Sequence, residues 1–164
     1  MDEFASRHYP VREDMRFQHR SWRIERAGWM ALAAIALAGL TGVFGVGPLS
    51  TGYSSAAPLG VRYERFQRAT RVSAFVFTVA PTSSAELRLH LGGRFQRDFE
   101  VTSIQPRPAR TATGPHGIDL IFAKERQAES RVVIWAHSRR YGLNRLAAAA
   151  DGGPAAAFSV FVYP

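Results

Sequence analysis

Cysteine is missing from all 164 residues. Its absence excludes disulfides, thiolate metal sites, covalent haem attachment through C-x-x-C-H and a lipid-modified N-terminal cysteine. An exported domain of this chain must therefore be held by its apolar core alone. Lysine is nearly missing as well, with Lys124 the one lysine among 21 Lys and Arg. Acidic charge is also short, at 13 Asp and Glu, which leaves a net charge of +8.

Catalytic signatures are absent in the same way. There is no G-x-S-x-G elbow, no G-x-x-x-x-G-K phosphate loop and no G-x-G-x-x-G. The histidines are His8, His19, His90, His116 and His137, and none lies within four residues of another. Metal sites usually include a close pair such as H-E-x-x-H. His90 alternates with Leu89 and Leu91, so it reads as the solvent side of a strand, and His137 reads as a strand end. No enzymatic activity, small-molecule substrate or side-chain-held cofactor is expected. Membrane lipids are expected partners, and lipid or pigment contact within a larger complex stays open.

The longest stretch without charge is Ala27 to Gly47, AGWMALAAIALAGLTGVFGVG. At ~1.5 Å per residue such a helix is about 31 Å long, close to a hydrocarbon core of ~30 Å. Signal-peptide cores are shorter, ~7–15 residues, and follow briefer basic leaders. The expectation is an uncleaved transmembrane helix. Arg12, Arg16, Arg20, Arg23 and Arg26 precede it, and the next basic residue is Arg62. Lys and Arg accumulate on the cytoplasmic side. The expected layout is a cytoplasmic Arg-rich segment over 1–26, a span over 27–47, a linker over 48–58 and a periplasmic domain over 59–164, in a bacterial inner membrane. Trp22 and Trp29 fit the inner interfacial belt.

Side chains are sorted around this helix. At about 100° per residue, Ala27, Ala31, Ala34, Ala38, Thr41, Gly42 and Gly45 share one arc. Lipid tails are as apolar as leucine, so helices associate in membranes through close backbone approach over small residues. An Ala-rich composition multiplies small residues but does not collect them on one face. The arc predicts a partner helix.

Beyond Gly47-Pro48 the pattern changes to alternation. Leu59–Glu64, Arg71–Val79, Glu86–Leu91, Phe99–Ile104, Ile118–Ala123, Arg131–Ala136, Tyr141–Ala149 and Ala156–Tyr163 read as strands. A helical turn is expected over 92–98, and Asp151-Gly152-Gly153-Pro154 is a turn signal. The fold class expected is an antiparallel, Ig-like β-sandwich of about seven to nine strands. The last strand, with Phe158, Val160 and Val162 on one side and Phe161 and Tyr163 on the other, is expected to be buried on both faces.

Most of the positive charge lies in the outer segment. In a cytoplasmic protein it would suggest nucleic acid. Outside a membrane the available partners are anionic headgroups, acidic protein faces and anionic glycans, with solubilising charge as the alternative. Arg62, Arg65, Arg68 and Arg71, interleaved with Tyr63 and Phe66, form the densest cluster, and Arg139-Arg140 is a weaker one.

The motifs R-x-F-Q-H-R-S-W-R-I-E-R before the apolar run, G-P-L-S after it and F-S-V-F-V-Y-P at the close resemble a loose set of uncharacterised single-span bacterial membrane proteins. The layout also looks like that of extra single-span subunits around bacterial photosynthetic reaction centre–light-harvesting complexes. That resemblance implies a non-catalytic accessory subunit that docks on transmembrane helices and periplasmic faces of other subunits. The alternative is a tethered periplasmic binding or assembly module for an anionic ligand or acidic protein.

Overall fold

The computed structural model describes residues 15–40, 49–124 and 128–164, with side chains described from residue 19 onward. The chain divides into two compact units, 1–40 and 41–164.

The first unit contains one helix, α1, Met15–Leu40. Good helix formers without Gly or Pro carry its first half, and Ala and Leu dominate its second. Arg20, Arg23, Glu25 and Arg26 all lie on α1. Its uncharged part, Ala27–Leu40, rises only about 21 Å, against the ~30 Å of a hydrocarbon core. Among the described residues no helix is long and apolar enough to cross a membrane. The described helix therefore does not carry the span expected over 27–47, and residues 41–47 of that span lie outside the described residues.

The second unit is a β-sandwich. Its strands are β1 Thr51–Ala56, β2 Leu59–Glu64, β3 Phe66–Arg68, β4 Ser73–Val79 and β5 Glu86–Gly92. A short helix, α2 Gly93–Asp98, follows. Then come β6 Phe99–Gln105, β7 Arg110–Gly114, β8 Gly117–Ala123, β9 Ser130–Ser138, β10 Gly142–Ala150 and β11 Ala156–Tyr163. One sheet has five strands in the order β1-β2-β4-β9-β6, and the other has six in the order β3-β11-β10-β5-β8-β7.

Alternation places one face of each long strand inside. Phe75, Phe77 and Val79 on β4 meet Leu87, Leu89 and Leu91 on β5 and Phe158, Val160 and Val162 on β11 within one buried cluster. Phe95 of α2 and Phe99 of β6 close one end of it. At ~25 cal/mol per Å² of apolar surface, this burial is the main stabilising term in a domain without disulfides.

The structure departs from the sequence reading in several places. The strand count exceeds nine, and β3 pairs with β11 in parallel, so the sandwich is not antiparallel throughout. The segment 48–58, expected as a linker, contains β1, paired along its length with β2. The core-facing positions of β1 are Gly52, Ser54 and Ala56, too small to register as an apolar face. The Tyr63 ring fills that space: a Cβ on Gly52 would meet it at 2.5 Å. The final strand is buried on one side only. Phe158, Val160 and Val162 are inside, while Phe161 is 45% exposed.

Candidate interaction surface

The chain enters the sandwich at Leu49–Thr51, and Arg65, Arg68, Arg71, Arg139 and Arg140 lie at this leading end, whereas Arg88, Arg110 and Arg131 lie toward the other. Strand β2 runs toward the leading end. The chain then crosses from the first sheet to the second at Arg65. There the Arg65 amide donates to the Ser50 carbonyl (2.6 Å) and the Arg65 carbonyl accepts from the Phe161 amide (2.7 Å). Strand β3 continues in the same direction beside β11, with Arg68 opposite Tyr163. The Arg68 guanidinium lies 6.0 Å from the Tyr163 ring centre, a cation–π arrangement. A turn closed by the Arg71 amide on the Arg68 carbonyl (3.0 Å) then exposes Arg71 and Val72.

The β9–β10 turn brings Arg139, Arg140 and Tyr141 to the same end, because Gly142 pairs with Val162 near the close of β11. Side chains hold this turn from within. Ser138 Oγ and Asn144 Nδ2 both donate to the Arg140 carbonyl, at 2.8 and 3.3 Å. Ser138 and Asn144 are buried with these bonds made.

On the adjoining outer face of the second sheet, Leu143, Phe161 and Phe66 occupy directly paired positions across β10, β11 and β3. Leu143 is 59% exposed and Tyr141 63%. Exposed apolar side chains in a contiguous row, framed by arginines, mark an interaction surface more often than scattered ones do. Among the described residues, Arg65, Arg68, Arg71 and Arg140 make no ion pair.

Arg139 differs. Its guanidinium donates to Glu100 Oε2 at 2.9 and 3.2 Å, and His137 Nε2 lies 3.4 Å from the same oxygen. The hydrogen bond and charge of Arg139 hold the Glu100 carboxyl below its ordinary pKa, with a smaller contribution from His137. A carboxyl depressed in the folded state stabilises it above the unfolded pKa, and that contribution disappears as pH falls through the folded value. Arg139→Gln should therefore raise the Glu100 pKa in a carboxyl NMR titration. It should barely change stability at neutral pH, since the pair is exposed. An unmoved titration would mean that Arg139 does not hold Glu100 in solution.

Arg62 is not part of this surface. It lies on the outer face of the first sheet, opposite Tyr53 on β1 and Val76 on β4, in an open groove with Arg131 and Glu129. The even spacing of Arg62, Arg65, Arg68 and Arg71 is divided by the sheet crossing at Arg65. Arg145, which no motif singled out, belongs to the surface by register alone.

On α1, Ala27, Ala31, Ala34 and Ala38 fall within one continuous helix, whereas Thr41, Gly42 and Gly45 lie outside the described residues. Trp22 and Trp29 are 57% and 66% exposed. The Arg26 guanidinium sits 5.2 Å from the Trp22 ring centre. His90, on the solvent side of β5 as its alternation predicts, has Nδ1 2.6 Å from Asp119 Oδ1 on β8. Among the described residues no three His, Asp or Glu are placed to hold a metal ion.

No protein-family model, curated protein or solved structure matches this chain.

Proposed function

We propose that this chain is a membrane-anchored, non-catalytic accessory subunit. Its helix packs on a transmembrane helix of a larger complex, and its β-sandwich stands on the periplasmic side. The observation that carries the reading is the bare apolar surface of α1. Met30, Leu32, Ile35, Leu37 and Leu40 are each about 60% exposed or more. Covering such side chains is worth roughly 1.5–3 kcal/mol apiece, which favours lipid or protein lying against them. The uncharged run continues in sequence from Leu40 to Gly47, which brings the anchor to bilayer length. Arginines precede it, as on a cytoplasmic flank. The resemblance described above supports an electron-transfer assembly of the photosynthetic reaction-centre kind as the complex.

The docking face proposed is the small-residue arc through Ala31, Ala34, Ala38 and Gly42. Bulk placed there prevents close backbone approach. Ala38→Leu combined with Gly42→Ile should lower recovery of the chain with its complex at least tenfold after gentle solubilisation, read by mass spectrometry of co-migrating proteins. Leu37→Ile, on the other side, should leave recovery intact. Undiminished recovery of the double variant would refute docking through this arc. A second reading, a tethered module for an anionic partner, is favoured by the arginines gathered at the leading end of the sandwich.

A further inference from the structure

We propose that the leading end of the β domain is a lipid-facing surface, seated on anionic headgroups through Arg65, Arg68, Arg71 and Arg140 around Tyr141 and Phe161. The inference rests on the proposed anchoring by residues 27–47. Three independent features converge on it.

Connectivity comes first. Ser50 follows the uncharged run by three residues in sequence. The Ser50 carbonyl is bonded to the Arg65 amide. The arginines therefore lie at the end of the sandwich where the chain arrives from that run.

Charge pairing differs between the two ends. At the far end Arg88, Arg110 and Lys124 accompany Glu86 and Asp151, with Arg110 Nη2 3.4 Å from Glu86 Oε1 and the Arg88 amide donating to Asp151 Oδ1 (2.8 Å). The carboxylates nearer the leading end are engaged. Glu64 accepts from Ser73, Asp98 from Arg97, and Glu100 from Arg139. Arg65, Arg68, Arg71 and Arg140 at this end have no acidic partner among the described residues.

Side-chain type is the third feature. Aromatic rings with a polar edge settle at headgroup level, and each basic residue near an anionic leaflet strengthens attachment roughly fivefold. The arginines come from three separate segments and frame an exposed apolar row instead of converging on one point. That arrangement suits an array of headgroups better than a single acidic side chain.

The absence of cysteine makes the test direct. Full-length chain with Thr70→Cys, in the turn between Arg68 and Arg71, or with Ser83→Cys at the far end, is labelled with a fluorophore. Each is reconstituted into phosphatidylcholine vesicles with or without phosphatidylglycerol, with a spin label on the headgroups. The expected result is at least threefold stronger quenching at position 70 than at 83. Phosphatidylglycerol should increase it, and it should weaken in high salt and in Arg65→Gln/Arg68→Gln/Arg71→Gln. Equal quenching at the two positions in chains that float with the vesicles overturns the lipid-facing surface and leaves the anchor standing. Chains that float with neither vesicle overturn the anchor and this inference together. Position-independent quenching, combined with loss of a co-purifying acidic protein from native membranes in the triple variant, makes that protein the occupant and also overturns the inference.

Discussion

Phe75→Ala is expected to destabilise the β domain by about 3–5 kcal/mol, the range for truncating a fully buried aromatic ring. Phe75 is fully buried on β4, and its ring centre lies 5.3 Å from Phe95, 5.5 Å from Phe99 and 6.1 Å from Phe158. Those partners come from α2, the first sheet and the second sheet, so one ring bridges three elements. Its contacts with Phe95 and Phe99 are edge-on, which the ring quadrupole favours. The cavity cannot be refilled by movement of one neighbour, because the others are packed against each other. Thermal or urea unfolding should show a fall in Tm of more than ~10 °C. Phe161→Ala, on the outer face of β11, should stay within about 1 kcal/mol. A loss below that for Phe75 as well would show that this cluster does not tie the two sheets together.

Gly117→Ala is expected to be nearly as damaging, at about 3 kcal/mol, for a different reason. Gly117 opens β8 with φ +144°, a conformation L side chains rarely adopt, and it pairs with Gly92 across the ladder. A Cβ there would stand 2.0 Å from the Leu91 carbonyl oxygen and 3.0 Å from the Gly92 carbonyl carbon. Both are backbone atoms of a buried strand. Relief requires opening the β5–β8 pairing, which should appear as faster amide exchange along Leu87–Leu91. Gly114, its partner in the β7–β8 hairpin, has nothing within 4 Å of an added Cβ. Gly114→Ala should change stability by no more than ~0.5 kcal/mol. Equal effects at the two glycines would contradict the close approach of β8 to β5.

Much of the sandwich is legible as alternation. Strands β2, β4, β5, β8, β9, β10 and β11 carry an apolar residue at every second position over most of their length, since one face of each covers the core. Strand β7, Arg110–Gly114, is exposed along its whole length and is held by backbone pairing to β8. Nothing in RTATG announces a strand, because ladder hydrogen bonds leave no mark on side-chain type. Strand β1 escapes for the reason seen at Gly52, where a neighbour's ring supplies the bulk that the strand lacks. Phe161 misleads in the opposite direction. An aromatic in a terminal strand suggests burial on both faces, but β11 has the core on one side and solvent on the other.

The chain taken alone determines three properties: a charge-free run behind an arginine-rich leader, a β-forming remainder, and an excess of positive charge beyond the run. These are local quantities, set by which residues follow one another. Tertiary structure decides which arginines act together. It separates Arg62 from Arg65 at the crossing between sheets, and it brings Arg139–Tyr141 beside Arg68 and Tyr163. Registers between distant strands are chosen by burying every inward face at once, and that condition belongs to the closed sandwich and to no single segment.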